Sequence, residues 1–294
     1  MKQSISKLLF IAFAAVYIVA CDKVDAPYKE TVTPPPIDTT TNTDDTTAVF
    51  DEVRKVLIED YTGHQCGNCP LAAEKLEALK NTYGNQVVPM AVHAGFFAET
   101  AAAPFDVDYR NTVATELDTY FGNSVAGNPN GMVNRKGYPN THILNLNSWS
   151  SVLTPFTTVN PDVVLAIRNN FNISSNIVET TVYSKFKKTL TGNYKLCVYV
   201  LEDSIIGAQT DYRLNPDVIE DYHFEHMLRA SFNGTWGETI ATDPVASETN
   251  IYRKKYSMSL SGKLMNINHP CEVVAFVYND ATKEIIQAST KKIK

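Results

Sequence analysis

The sequence predicts an α/β domain followed by an all-β domain, on a chain that is exported and tethered to a membrane. Three observations lead there. A Cys-x-x-Cys at Cys66 and Cys69 stands between a strand pattern and a helix pattern, the apolar period switches to two from Pro161 onward, and the first 21 residues read as an export signal. At 294 residues the chain has room for two domains, and a hydrophobic content of 44% supports a real core. The net charge of −6, without any basic cluster, argues against a nucleic-acid surface.

Lys2 and Lys7 precede an apolar run from Leu8 to Ala20 that ends at Cys21. The run is short for a bilayer span and fits the hydrophobic region of a signal. Ile18-Val19-Ala20-Cys21 resembles the lipobox of bacterial lipoproteins, in which residues 1–21 carry the signal and the cysteine is acylated. An ordinary signal with an incidental cysteine is the alternative. Lipid on Cys21 would hold the protein in the cell envelope, with the outer membrane as the expected location. An extracytoplasmic compartment tolerates disulfides, so Cys66, Cys69, Cys197 and Cys271 are read as potential partners in them.

Residues 22–49, rich in Thr, Pro and Asp, cannot bury enough apolar surface to offset their ordering entropy and read as a flexible linker. The first domain then spans 50–160. Val56 to Tyr61 reads as a buried strand, and Cys69, Ala72, Leu76, Leu79 and Tyr83 line one face of a helix that ends at Gly84-Asn85. Val87 to Val92 is the next strand. After an irregular stretch from Gly95 to Asp108 comes a second helix with Val113, Leu117 and Tyr120/Phe121 on one face and Gly122 at its end. A last amphipathic stretch carries Trp149, Val152/Leu153 and Phe156.

A dithiol at the start of a helix meets unpaired N–H groups and a partial positive charge, which favour the attacking thiolate. Cys66 is expected at the solvent side as the attacking sulfur, and Cys69, one turn inward, as the resolving one. Pro70 suits a first helical turn, and Gly67 lets a substrate backbone approach. The competing reading is a permanently oxidised disulfide in an idle scaffold. Metal binding with His64 or His93 as a further ligand is a third, but a structural zinc site needs a second ligand pair, so no metal and no cofactor are expected.

The segment from Val56 to about Gly137 resembles the thioredoxin fold. That resemblance implies a cis peptide at Asn128-Pro129 facing the dithiol. It also implies substrate contact through Gly67, Asn68, Asn128 and Pro129, and a buried acid, Asp60, that helps deprotonate Cys69. Asn68 and Gln65 depart from the residues common in thioredoxins. The chain as a whole resembles the twenty-eight-kilodalton outer-membrane-protein family of Gram-negative lipoproteins. The residues that carry this likeness are the lipobox, the Thr62 to Pro70 core and Tyr222 to Arg229.

From 161 to 294 the alternating runs Val163–Ile167, Val178–Tyr183, Tyr194–Leu201, Phe224–Leu228, Tyr256–Leu260, Cys271–Tyr278 and Glu284–Ala288 predict an antiparallel sandwich of immunoglobulin-like type. Cys197 and Cys271 either pair across it or stay buried as small hydrophobes. His223 and His226 would point oppositely on a strand, which speaks against a metal pair. The expected activity is thiol–disulfide oxidoreductase chemistry on cysteine-containing exported proteins, with a redox-recycling partner to reset the dithiol. A surface binding or adhesion lipoprotein with an idle dithiol is the rival.

Overall fold

A computed structural model describes residues 48–242 and 251–294. Cys21, the export signal and nearly all of the linker lie outside those residues. Among the described residues, no helix is long and apolar enough to cross a membrane.

The first elements form where the apolar pattern places them. Strand β1 (Val56–Thr62) leads through the cysteine turn into helix α1 (Cys69–Tyr83), and β2 (Val87–His93) returns parallel to β1. Gly84 closes α1 at φ +58°, a conformation that L side chains rarely adopt. Helix α2 (Thr112–Phe121) starts on the Asn111 side chain, which accepts from the Ala114 N–H, and stops at Gly122 in the left-handed region. A single turn, α3 (Asn123–Ala126), precedes β3 (Asn130–Val133), which runs antiparallel to β1. Helix α4 (Trp149–Thr157) buries Trp149 and Leu153.

The later strands are β4 (Val163–Asn172), β5 (Ile177–Phe186), β6 (Tyr194–Glu202), β7 (Ile205–Thr210) and β8 (Val218–Phe224). They continue with β9 (Met227–Ser231), β10 (Glu238–Ala241), β11 (Ile251–Ser259), β12 (Cys271–Asn279) and β13 (Ile285–Lys292). β4, β5 and β11 make a three-stranded antiparallel sheet. Among the described residues, β7 and β8 pair only with each other.

The remaining strands correct the expected fold class. An α/β thioredoxin-like domain followed by a separate all-β immunoglobulin-like sandwich is not what the chain forms. One eight-stranded sheet in the order β13-β12-β6-β9-β2-β1-β3, with β10 also on β6, runs through both halves, and the architecture is mostly β. The junction is the parallel contact of β2 with β9, at Ala91 and Met227, reinforced by Ala91 N–H donating to His226 O at 2.8 Å.

Packing explains why the halves fuse. β6 and β12 are apolar on both faces, and their side chains alternate between two cores. Leu196, Val198, Val200, Val273, Ala275 and Val277 face the three-stranded sheet. Cys197, Tyr199, Leu201, Val274, Phe276 and Tyr278 share a second core with α2 and with Leu57, Tyr61, Val88 and Met90 of β1 and β2. A separate sandwich would leave that second face in water. A third core packs α1 and α4 against Val56 and Ile58 on the opposite face of β1. Truncating Leu76 there to Ala would cost about 2–5 kcal/mol.

Cys197 and Cys271 are free and buried. The β6–β12 register sets Cys197 opposite Phe276 and Cys271 opposite Glu202, so five positions of paired strand separate them. Burial pushes the two thiols up, to about 12 for Cys197 and about 11 for Cys271, and they serve as core side chains.

Candidate functional site

Along β1 successive side chains point to opposite faces, so Val56, Ile58 and Asp60 face α1 while Leu57, Glu59 and Tyr61 face α2. Asp60 therefore reaches the start of α1, where Cys69 is the first helical residue and Pro70 occupies the first turn. Cys66 lies in the turn before the helix. Its N–H donates to Gly63 O at 2.9 Å, its carbonyl accepts from the Cys69 N–H at 3.1 Å, and its sulfur is bonded to that of Cys69.

Asp60 and Cys69 line one cavity of about 220 Å³ between α1, the ends of β1 and β2, and β8. Asp60 is buried, its Oδ1 has no hydrogen-bond partner among the described residues, and desolvation raises its pKa to about 8. It is a carboxylic acid, not a carboxylate, at neutral pH. His93 also lines the cavity, at the end of β2. Burial first, then His64 and Arg229 nearby, lower its pKa to about 3, and neither ring nitrogen has a partner among the described residues.

His64 does not line this cavity; its buried ring stacks on Phe105 and meets Tyr109 edge-on, and burial lowers its pKa. Tyr109, His93 and Phe224 complete the aromatic cluster. Among the described residues, no group of three or more His, Cys, Asp or Glu side chains is placed to hold a metal ion.

The Asn128–Pro129 bond is cis. Since Tyr61 pairs with Asn130, Pro129 falls one step further, beside Thr62, at the same edge of the sheet from which the cysteine turn departs. Both side-chain polar atoms of Asn128 are buried without a partner among the described residues. Asn130 ties this loop down by donating to Asn123 O at 2.7 Å and Gly127 O at 2.9 Å. Asn68 is exposed, and its side chain makes no capping bond to α1.

The expected accessibility of Cys66 is not found: Cys66 is 3% exposed and Cys69 2%. What covers them is the β7–β8 hairpin, which the sequence reading passed over. Thr210 N–H donates to His64 O at 2.9 Å, Tyr212 N–H to Gly67 O at 3.0 Å, and Gln209 Nε2 to Cys66 O at 3.0 Å. The Tyr212 ring lies against Gly67 so closely that a Cβ at that position would overlap it. Beyond it, Arg213 makes a bidentate ion pair with Glu74 of α1, at 2.7 and 3.0 Å, while also holding Asp211. The space Gly67 leaves for an approaching backbone is thus taken by the chain's own hairpin. One signal marks this element: Asn215-Pro216, a turn dipeptide between the apolar runs at Ile205 and Val218.

His226, in the turn after β8, fastens α1 to the later strands. Its Nε2 lies 3.0 Å from Glu77 of α1, and its Nδ1 lies 3.2 Å from Asp203 and 3.7 Å from Glu272. Burial opposes charge on this ring, as does the Lys80 ammonium 2.8 Å from Nε2, but the surrounding carboxylates of Asp203, Glu272 and Glu77 prevail and raise its pKa to about 10.

A family model described as outer membrane protein Omp28 matches residues 114–294, a stretch that begins in α2 and leaves the dithiol ahead of it. No curated protein matches the sequence. Among solved structures, HBP35 of Porphyromonas gingivalis superposes with a TM-score of 0.60 at 17% identity, over 83% of this chain and 76% of its own. A protein of Agrobacterium tumefaciens superposes with a TM-score of 0.51 at 14% identity, over 83% of this chain and 96% of its own. A domain of the outer membrane lipoprotein Omp28 from Porphyromonas gingivalis, 20% identical, covers 46% of this chain and 89% of its own at a TM-score of 0.29, too loose a superposition to speak for the fold. The first two likenesses concern the fold.

Proposed function

The chain belongs to the outer membrane protein Omp28 family, which makes it a cell-envelope protein, and on that premise we propose that it exchanges thiols and disulfides with cysteine-bearing exported polypeptides through Cys66 and Cys69. The observation that carries this reading is the shared cavity of Cys69 and Asp60, a sulfur and an uncharged buried acid with no competing partner for Asp60 Oδ1.

The exchange balances with Cys66, Cys69, Asp60 and a dithiol on the partner polypeptide. A thiolate of the partner polypeptide attacks Cys66 Sγ, the Cys66–Cys69 bond breaks, and the bonding pair leaves on Cys69 Sγ. Asp60 supplies the proton that neutralises that thiolate in its apolar surroundings. A second thiolate of the partner then attacks its own sulfur in the mixed disulfide, and Cys66 leaves. In the reverse direction the Asp60 carboxylate accepts the Cys69 proton as Cys69 attacks the mixed disulfide. A redox-recycling partner resets the pair. Access to Cys66 requires the β7–β8 hairpin to lift from the turn.

The burial of both sulfurs favours a second reading, a surface-binding lipoprotein whose disulfide only braces the start of α1. Trapping separates the two. The Cys69→Ser chain, expressed in the native envelope, should accumulate disulfide-linked adducts through Cys66, absent from a Cys66→Ser/Cys69→Ser control. Identical adduct patterns in both would leave the binding reading.

A further inference from the structure

We propose that the cavity beneath Cys69 is a binding site for a small uncharged molecule, a single ring carrying one group that both donates and accepts hydrogen bonds. This inference stands apart from thiol exchange and concerns the oxidised protein.

The walls of the cavity are carbon. Pro70, Ala73 and Leu76 of α1 form one side, and Tyr222 and Phe224 of β8 the other. Its polar floor is Asp60 and His93, whose Oδ1, Nδ1 and Nε2 are buried and without partners among the described residues. Native structures rarely leave such atoms unanswered. Water alone answers them poorly: the volume of about 220 Å³ would hold about seven waters, each needing two to four polar partners. An apolar body suits the walls of Pro70, Ala73, Leu76 and Phe224 better than those waters do, even with Thr62, Gln209 and His223 also on the lining. A cavity of about 150 Å³ takes benzene, so this one takes a ring with a few further heavy atoms.

The polarity of the floor sets the ligand's charge. A protonated carboxyl donates one bond and accepts another, and so does a neutral imidazole. An amide or hydroxyl on the ring meets both. Neither floor group carries a charge at neutral pH, and His226, the cation of the lining, is already held by Glu77, Asp203 and Glu272. Anions would also pass Glu74, Glu77 and Glu225 at the rim, while Glu74 and Glu77 already serve Arg213 and His226 and offer a cation little.

The test is a titration of the oxidised mature chain with benzamide, followed by amide NMR shifts. The expected result is saturable one-to-one binding centred on Ala73, Leu76 and Phe224, with benzoate and benzylammonium about tenfold weaker or worse. Ala73→Leu, which puts carbon into the cavity, should abolish the shifts while the chain stays folded. Absence of saturation up to the solubility limit would leave a water-filled cavity and overturn the proposal. Benzylammonium or benzoate binding as tightly as benzamide would overturn it as well. If Ala73→Leu fails to fold, the comparison of the three compounds on the unaltered chain decides alone.

Discussion

Glu59 and Asp60 are neighbours on β1, both buried, and the two faces of the strand treat a carboxyl group in opposite ways. Glu59 faces the α2 core, where Arg135 binds it through two hydrogen bonds of 2.8 Å and lies over the rings of Phe121, Phe276 and Tyr278. Burial opposes the charge on Arg135, but Glu59 holds its pKa above the ordinary arginine value. Asp60 faces α1 with no cation against it among the described residues, and its burial lets it keep its proton to about pH 8. The contrast separates a charge used to join two halves of a core from an acid held uncharged beside a sulfur. Pairing fixes a charge in place, whereas leaving it unpaired keeps a proton available near neutral pH.

The largest effect expected is on the paired face. Arg135→Met would strand the Glu59 charge and cost about 3–5 kcal/mol, whereas Glu59→Met/Arg135→Met together should recover most of it. Urea denaturation measures both, and a double variant as unstable as the single one would break the contrast.

Asp60 comes next. Between its ordinary value of 3.8 and about 8 the folded chain holds a proton that the unfolded chain has lost. The unfolded state binds fewer protons there, so this group's contribution makes stability fall as pH rises through that window. Asp60→Asn should remove that slope and stabilise the protein at pH 8 by roughly 1–3 kcal/mol. Thermal melts from pH 5 to 9 read it; an unchanged slope would mean that Asp60 ionises freely.

The smallest effect tests the cover over the site. Tyr212→Ala should speed reduction of Cys66–Cys69 by a small phosphine about tenfold, equivalent to about 1.4 kcal/mol of closure. Gly67→Ala should do the same by pushing the ring away. The two together should be less than multiplicative, because each removes the same contact. Unaltered rates would show that the sulfurs are reached by a path other than the hairpin.

Much of the region around the dithiol was legible because it is local. Three- and four-residue spacing gave α1, short apolar runs gave β1 and β2, and Gly122 marked the end of α2. Asp60 was picked out only by the likeness to thioredoxins, and the structure set it on the face of β1 turned to α1. The irregular run from Ile205 to Phe224 hid the hairpin, since its strands owe their pairing to each other and to the cysteine turn. Arg135 offered no sign in the sequence of its partner 76 positions away. The fused sheet was misread for a related reason: apolar runs on β6 and β12 announce burial on both faces without saying what covers the second one.

By itself the sequence determined most of the segments that become strands and helices, where the cysteines stand on α1, and the likeness to an envelope protein family now matched over residues 114–294. Periodicity, caps and short motifs are properties of neighbouring residues, and neighbours in sequence carry them. Only the tertiary structure decided that β2 would join β9, that Glu59 would find Arg135, and that Tyr212 would close over Gly67. Those contacts join residues far apart in the chain, and burial of shared apolar faces, not any local preference, selects among them.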